Sequence, residues 1–163
     1  MIELQATPET QQAQRDFLDL LGRLHRPTVA VRREVGRSVR LGFSENFVRQ
    51  RAGDGSAWAP LAPATIRDRI RQGYGPGPKL FRTGRLLRSY VEEFHSEHAQ
   101  RFRILSSGYQ MEYGSDTYYA RFHESGTQSM PARPVTLLSR RAENGVEAAL
   151  DNYFGRVFRA AGF

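Results

Sequence analysis

The chain has 163 residues and a mass of 18.6 kDa, room for one ordinary domain or one domain with an extended arm. With Cys 0 it has no disulfide framework, thiolate zinc site, iron–sulfur cluster or cysteine nucleophile, and no apolar run approaches the roughly 20 residues of a membrane helix. The net charge is +7, and all but one of the 24 cations are arginine, the exception being Lys79.

In chain order, Thr7-Pro8-Glu9 has the form of a helix start, a capping hydroxyl followed by a proline whose missing N–H costs nothing there. Phe17, Leu20, Leu21 and Leu24 follow at helical spacing, and Pro27 ends the run. Thr28 is placed to cap a second helix. Val31, Val35, Val39, Phe43 and Phe47 recur every fourth residue, so the spacing predicts a helix to about Gln50 despite the β-branched valines. Its other faces carry Arg32, Arg33, Arg37, Arg40 and Arg49.

Residues 51–63 read as a loop, with a turn at Asp54-Gly55 and with Pro60 and Pro63 barring a continued helix. A short helix is predicted over Ala64–Arg71, a loop over Gly73–Pro78, and a helical turn or two over Thr83–Ser89, capped by Thr83. Tyr90–His95 is expected as a strand. Phe102 and Ile104, then Tyr109, Met111 and Tyr113, alternate with polar residues around a turn at Ser106–Gly108, which predicts an antiparallel hairpin. Tyr118–Glu124 is a short helix or turn ended by Gly126, and Pro131-Ala132-Arg133-Pro134 must be extended. Ser139 then caps a long helix whose apolar stripe is Ala142, Val146, Ala149, Leu150, Tyr153, Val157 and Phe158.

The expected fold class is α+β: a small antiparallel sheet, a meander, packed against two long helices, 28–50 and 139–160, with long extended loops. Residues 1–27 form an N-terminal helical extension and 28–163 a single domain.

A search for chemistry returns little. His95 and His98 sit at a predicted strand end and turn and read as solvated residues, since a zinc site needs a further ligand at a fixed position. His123-Glu124 has no second histidine after it, which disfavours a zinc hydrolase. The Gly73/Gly75/Gly77 loop has neither a strand before it nor a Lys-Ser/Thr pair after it, so it is a poor phosphate cradle. No secretory leader is expected from Met1-Ile-Glu-Leu-Gln5. Trp58 either pins its Pro/Gly loop to the chain's own core or anchors an interface, and Tyr74 and Phe81 carry the same two readings. The arginines suit phosphate contact or wet protein–protein contacts.

Four short patterns occur in order: Gly55-x-x-Trp58-x-Pro60-Leu61 with Thr65 beyond it; Leu80-x-x-Thr83-Gly84-x-Leu86-x-x-Ser89; Tyr119-Ala120-x-x-His123-x-x-Gly126; and Pro131-Ala132-Arg133-Pro134. Together, over roughly residues 40–160, they resemble the virion morphogenesis (tail completion) family of tailed bacteriophages, the group that includes Mu-like phages. The sequence departs at residues 1–27 and at Glu124-Ser125, where a Gln and an apolar residue are expected.

The resemblance implies a non-enzymatic structural protein of the head–tail neck, a ring-forming tail completion or tail terminator subunit, with no catalytic residue, cofactor or metal. The implied partners are copies of itself in a homo-oligomeric ring, expected as a hexamer, and neighbouring neck and tail-tube proteins. DNA passing through the ring is a further non-specific contact, and a DNA-binding module is the alternative function. The implied location is the virion, at the head-proximal end of the tail, with host cytoplasm during assembly. In physical terms, Gly84 permits a tight turn, the His123 imidazole is placed to tie two loops, and Arg133 presents its guanidinium from an extended segment able to pair with a sheet edge.

Overall fold

The computed structural model describes residues 8–24, 26–105 and 108–162. The elements are α1 (Pro8–Leu24), α2 (Val29–Arg49), α3 (Pro63–Arg71), α4 (Arg85–Val91), β1 (His98–Leu105), β2 (Gly108–Ser115), α5 (Ala120–Ser125) and α6 (Arg140–Ala160). The α+β class expected from the sequence holds. Thr7, the expected cap of the first helix, and Ser106-Ser107 of the hairpin turn lie outside the described residues.

Helix α2 is the organising element. The Thr28 hydroxyl accepts from the Val31 N–H at 3.5 Å and starts it. Gln50, in the left-handed region at φ 54°, ends it and returns its own N–H to the Asn46 carbonyl. At about 1.5 Å per residue the 21-residue helix is about 30 Å long. Its stripe of Val31, Val35, Val39, Phe43 and Phe47 is buried along its whole length.

Helix α6 starts in the same way, with the Ser139 hydroxyl accepting from the Ala142 N–H at 3.4 Å. It packs along α2 at Gly42, where an added Cβ would lie 2.7 Å from that of Ala142, so the close approach requires glycine. Helix α1 packs on α6: Leu20 is buried, and the Tyr153 hydroxyl donates to the carbonyls of Arg23 and Arg26.

Strands β1 and β2 form one antiparallel hairpin, with Phe102 opposite Met111 and Gln100 opposite Tyr113. It is tied to α2 by the Tyr113 hydroxyl, which donates to the Arg32 carbonyl at 3.0 Å, and by the Arg32 guanidinium 4.7 Å above the Phe102 ring.

Several details differ from the sequence reading, among them the cap of α4, which is Gly84 and not the expected Thr83. The strand expected over Tyr90–His95 does not form, because Tyr90 and Val91 complete α4 and a turn follows. Leu86, Ser89 and Tyr90 are buried at helical spacing, with Tyr90 edge-on to Phe43 at 5.3 Å; that packing overrides the β-propensity of Tyr-Val. Among the described residues the sheet is therefore a two-stranded hairpin without a third meander strand. Its main contacts are with α4 and α2, whereas α6 makes its main contacts with α2 and α1.

Phe43 is only 2% exposed and sits where α2 meets α4, so Phe43→Ala is expected to cost about 3–5 kcal/mol of unfolding free energy. Val48→Ala, on the 80% exposed side of the same helix, is expected to stay within about 0.5 kcal/mol. Urea denaturation of the two variants checks the assignment of the buried stripe.

Candidate functional site

The segment from Pro131 to Leu138 has no regular structure, yet its backbone is held from all sides. The Arg133 N–H donates to the His123 carbonyl at 2.6 Å. Trp58 Nε1 donates to the Pro134 carbonyl at 3.0 Å. Asn46 Nδ2 donates to the carbonyls of Val135 and Leu137 at 2.8 and 2.7 Å. The Glu124 carboxylate accepts from the Val135 N–H at 3.1 Å, the Thr136 hydroxyl at 2.9 Å and the Tyr90 hydroxyl at 2.9 Å. Glu124 is thus the acceptor at which α4, α5 and the extended segment meet.

Arg133 does not present its guanidinium outward, as the extended segment suggested. The side chain is 4% exposed and turns in to donate to the carbonyls of Ala59 at 3.0 Å and Pro60 at 2.9 Å. These two carbonyls lack amide partners because their loop is broken by prolines, and a planar fork of donors suits them. Trp58 follows the first of its two readings. It is buried, edge-on to Phe47 at 5.7 Å, and pins loop 51–63 to the core.

These contacts shape one wall of an open cavity of about 830 Å³. All four sequence patterns contribute to its lining: Pro60, Leu61 and Thr65; Leu80, Thr83, Gly84 and Leu86; Tyr119 and His123; Pro131 and Arg133. Gly84 stands at φ 79° as the residue before α4, a conformation that disfavours a side chain, and Thr83 Oγ1 accepts from the Arg85 N–H at 3.4 Å. Seven pattern positions lie off the cavity lining, among them Ser89, Ala120 and Ala132. Trp58 and Pro134 are joined to each other by their hydrogen bond, Gly126 ends α5 at φ 72°, and Gly55 lies in the exposed turn in which Asp54 accepts from the Ser56 N–H at 2.8 Å.

The sequence reading missed Arg69. It is 4% exposed and donates to the carbonyls of Pro78 at 3.1 Å and Phe81 at 2.6 Å, closing the loop after α3 onto that helix. Nothing local marks it among Arg67, Arg69 and Arg71. Tyr74, Phe81, Arg82 and Met130 also line the cavity, with the Arg82 guanidinium 4.9 Å above the Tyr74 ring.

The electrostatics of the cavity are one-sided. Arg69 and Arg133 are buried cations that donate to neutral carbonyls. Asp68, the one carboxylate on the lining among the described residues, is held by Arg71 at 2.6 Å. The His123 ring does not tie two loops; its backbone carbonyl does, and Nδ1 is buried without a hydrogen-bond partner. Burial, and secondarily the nearby Arg133, lower the imidazole pKa and favour the neutral ring. His95 lies in the turn before β1, and His98 Nδ1 meets the Ser89 carbonyl at 3.0 Å. Among the described residues no group of three or more His, Cys, Asp or Glu is placed to hold a metal ion.

Because His123 binds its proton less readily folded than unfolded, its contribution to stability is intact above the ordinary imidazole value of 6.5. It is lost as pH falls from there through the lowered folded value. The urea midpoint is expected to drop as the pH falls below about 6.5, and His123→Gln is expected to remove part of that drop. Asn46→Ala leaves two buried carbonyls without their donor and is expected to cost about 1–3 kcal/mol, read from the same urea curves.

The profile of the phage virion morphogenesis family matches residues 9–155, from the first turn of α1 into the last third of α6. The N-terminal helix, which had no place in the four patterns, falls inside the matched region. Neither a search of curated proteins nor a search of solved structures returned a match. With nearly its whole length covered, and with the four patterns brought together around one cavity, the chain belongs to the phage virion morphogenesis family.

Proposed function

We propose that this protein is a structural subunit of the phage head–tail neck, a ring-forming tail completion or tail terminator protein needed for stable head–tail joining, and that it acts without making or breaking a bond. The observation that carries this reading is the convergence of the four patterns on one cavity. The two buried arginines that gather there hold loop backbone. Arg69 and Arg133 on its lining donate to main-chain carbonyls, and behind it Trp58 and Asn46 do the same while Glu124 accepts from a main-chain N–H and two hydroxyls. Such an arrangement fixes the shape of loops 51–63, 72–79 and 128–136, as a docking surface for adjoining virion components requires.

A phage lacking this gene is expected to accumulate full heads and separate, unjoined tails, seen by electron microscopy and sedimentation of the lysate. Normal infectious particles from the deletion would refute the reading.

The second reading, non-specific contact with DNA, rests on the exposed arginines of α2 and α6, among them Arg33, Arg37, Arg156 and Arg159. It predicts an affinity for duplex DNA that falls steeply with salt, on the order of one counterion per arginine–phosphate contact. Fluorescence anisotropy at two salt concentrations measures it, and no binding at low salt would reject DNA contact.

A further inference from the structure

The largest mismatch between sequence chemistry and surroundings lies beyond the C-terminal end of α4. Phe94 is 94% exposed, the most exposed of the large apolar side chains among the described residues. It stands in a turn between α4 and β1, next to Glu92 and Glu93. Glu93 is paired with Arg40 at 2.9 Å, whereas the exposed Glu92 carboxylate takes no ion pair among the described residues. The tip therefore presents an aromatic ring beside a free negative charge.

The cavity has the opposite character. Its wall includes Leu61, Phe81 and Met130; Arg69 and Arg133 are buried guanidiniums that take no ion pair among the described residues, the exposed Arg82 stands at the rim, and the two other charged lining residues, Asp68 and Arg85, are paired with Arg71 and Glu97. At about 830 Å³ it is well above the bulk of one side chain and within the range of sites that hold a ligand or a short stretch of chain. A phenyl ring satisfies its apolar wall, and an accompanying carboxylate meets its net positive charge.

A single chain cannot bring the two together. Gly84, Arg85 and Leu86, at the start of α4, line the cavity, and Phe94 lies beyond the other end of that helix. The seven residues of α4 alone separate them by about 10 Å.

We propose that the Glu92–Phe94 tip of one copy docks into the Leu61–Arg133 cavity of the next, as the head-to-tail contact by which this chain assembles with itself. A contact between two different patches repeats from copy to copy and closes into a ring when its rotation permits. The inference deepens the neck-ring reading and rests on it for the ring.

The test uses the full-length protein, which has no cysteine of its own. Phe94→Cys combined with Leu61→Cys is expected to give, on mild oxidation, a ladder of covalent multimers on a non-reducing gel. Each single variant alone is expected to give none beyond the background of a random dimer. In sedimentation velocity, Phe94→Ala is expected to weaken self-association about tenfold or more. Glu92→Arg and Arg82→Glu are each expected to weaken it, and the two together to restore it. All four side chains are at least partly exposed, and unchanged thermal midpoints would show that the variants remain folded.

Rings that persist in Phe94→Ala, with no ladder from the double-cysteine chain, would overturn this contact while leaving the neck-ring reading intact. A strong dimer from Phe94→Cys alone would also overturn it, by making the contact two-fold. A wild-type chain that stays monomeric at every concentration would reject the contact and the self-assembling ring together.

Discussion

The tertiary structure depends on how a stretch of backbone with no secondary structure is satisfied. Between α5 and α6 the chain runs extended past two prolines, and its amides and carbonyls have no ladder to join. Buried without partners they would each cost on the order of 1–3 kcal/mol. Asn46 from α2, Trp58 from the following loop, and Glu124 and the His123 carbonyl from α5 supply those partners. The same side chains tie α2, α4, α5 and loop 51–63 to one another, so the segment acts as the seam along which the domain closes.

Arginine makes the arrangement possible. A proline-rich loop offers carbonyls that no neighbouring N–H can reach, and a guanidinium carries several donors in a rigid plane. Arg133 closes one such loop and Arg69 another. Each brings its charge into the wall of the cavity and takes no ion pair among the described residues. The loops are held by buried cations, so that closing them leaves net positive charge in the cavity wall.

Much of this was legible beforehand. The stripe from Val31 to Phe47 named the buried face of α2 because a period of four on a helix admits few other readings. Thr28 and Ser139 marked both long helices by their capping chemistry, and the alternation around the hairpin fixed its strands. The patterns around Trp58, Gly84, His123 and Arg133 identified residues that line the cavity or build its wall. Tyr90 misled because a β-favouring Tyr-Val pair at the end of a short helix carries no local sign of the Phe43 ring it meets. Arg69 was invisible because three arginines alternate along α3 and only the fold decides which one turns inward.

The sequence alone determined the helices, the hairpin and the family, since periodicity, caps, proline restrictions and short patterns act within a few residues of chain. Tertiary structure decided where the charges and the aromatic rings ended up. Arg133 turned in, Trp58 went into the core and Phe94 stayed out, because burial depends on what distant segments bring to the same place. No local rule reports that a carbonyl at Ala59 waits for a donor more than seventy residues further along the chain.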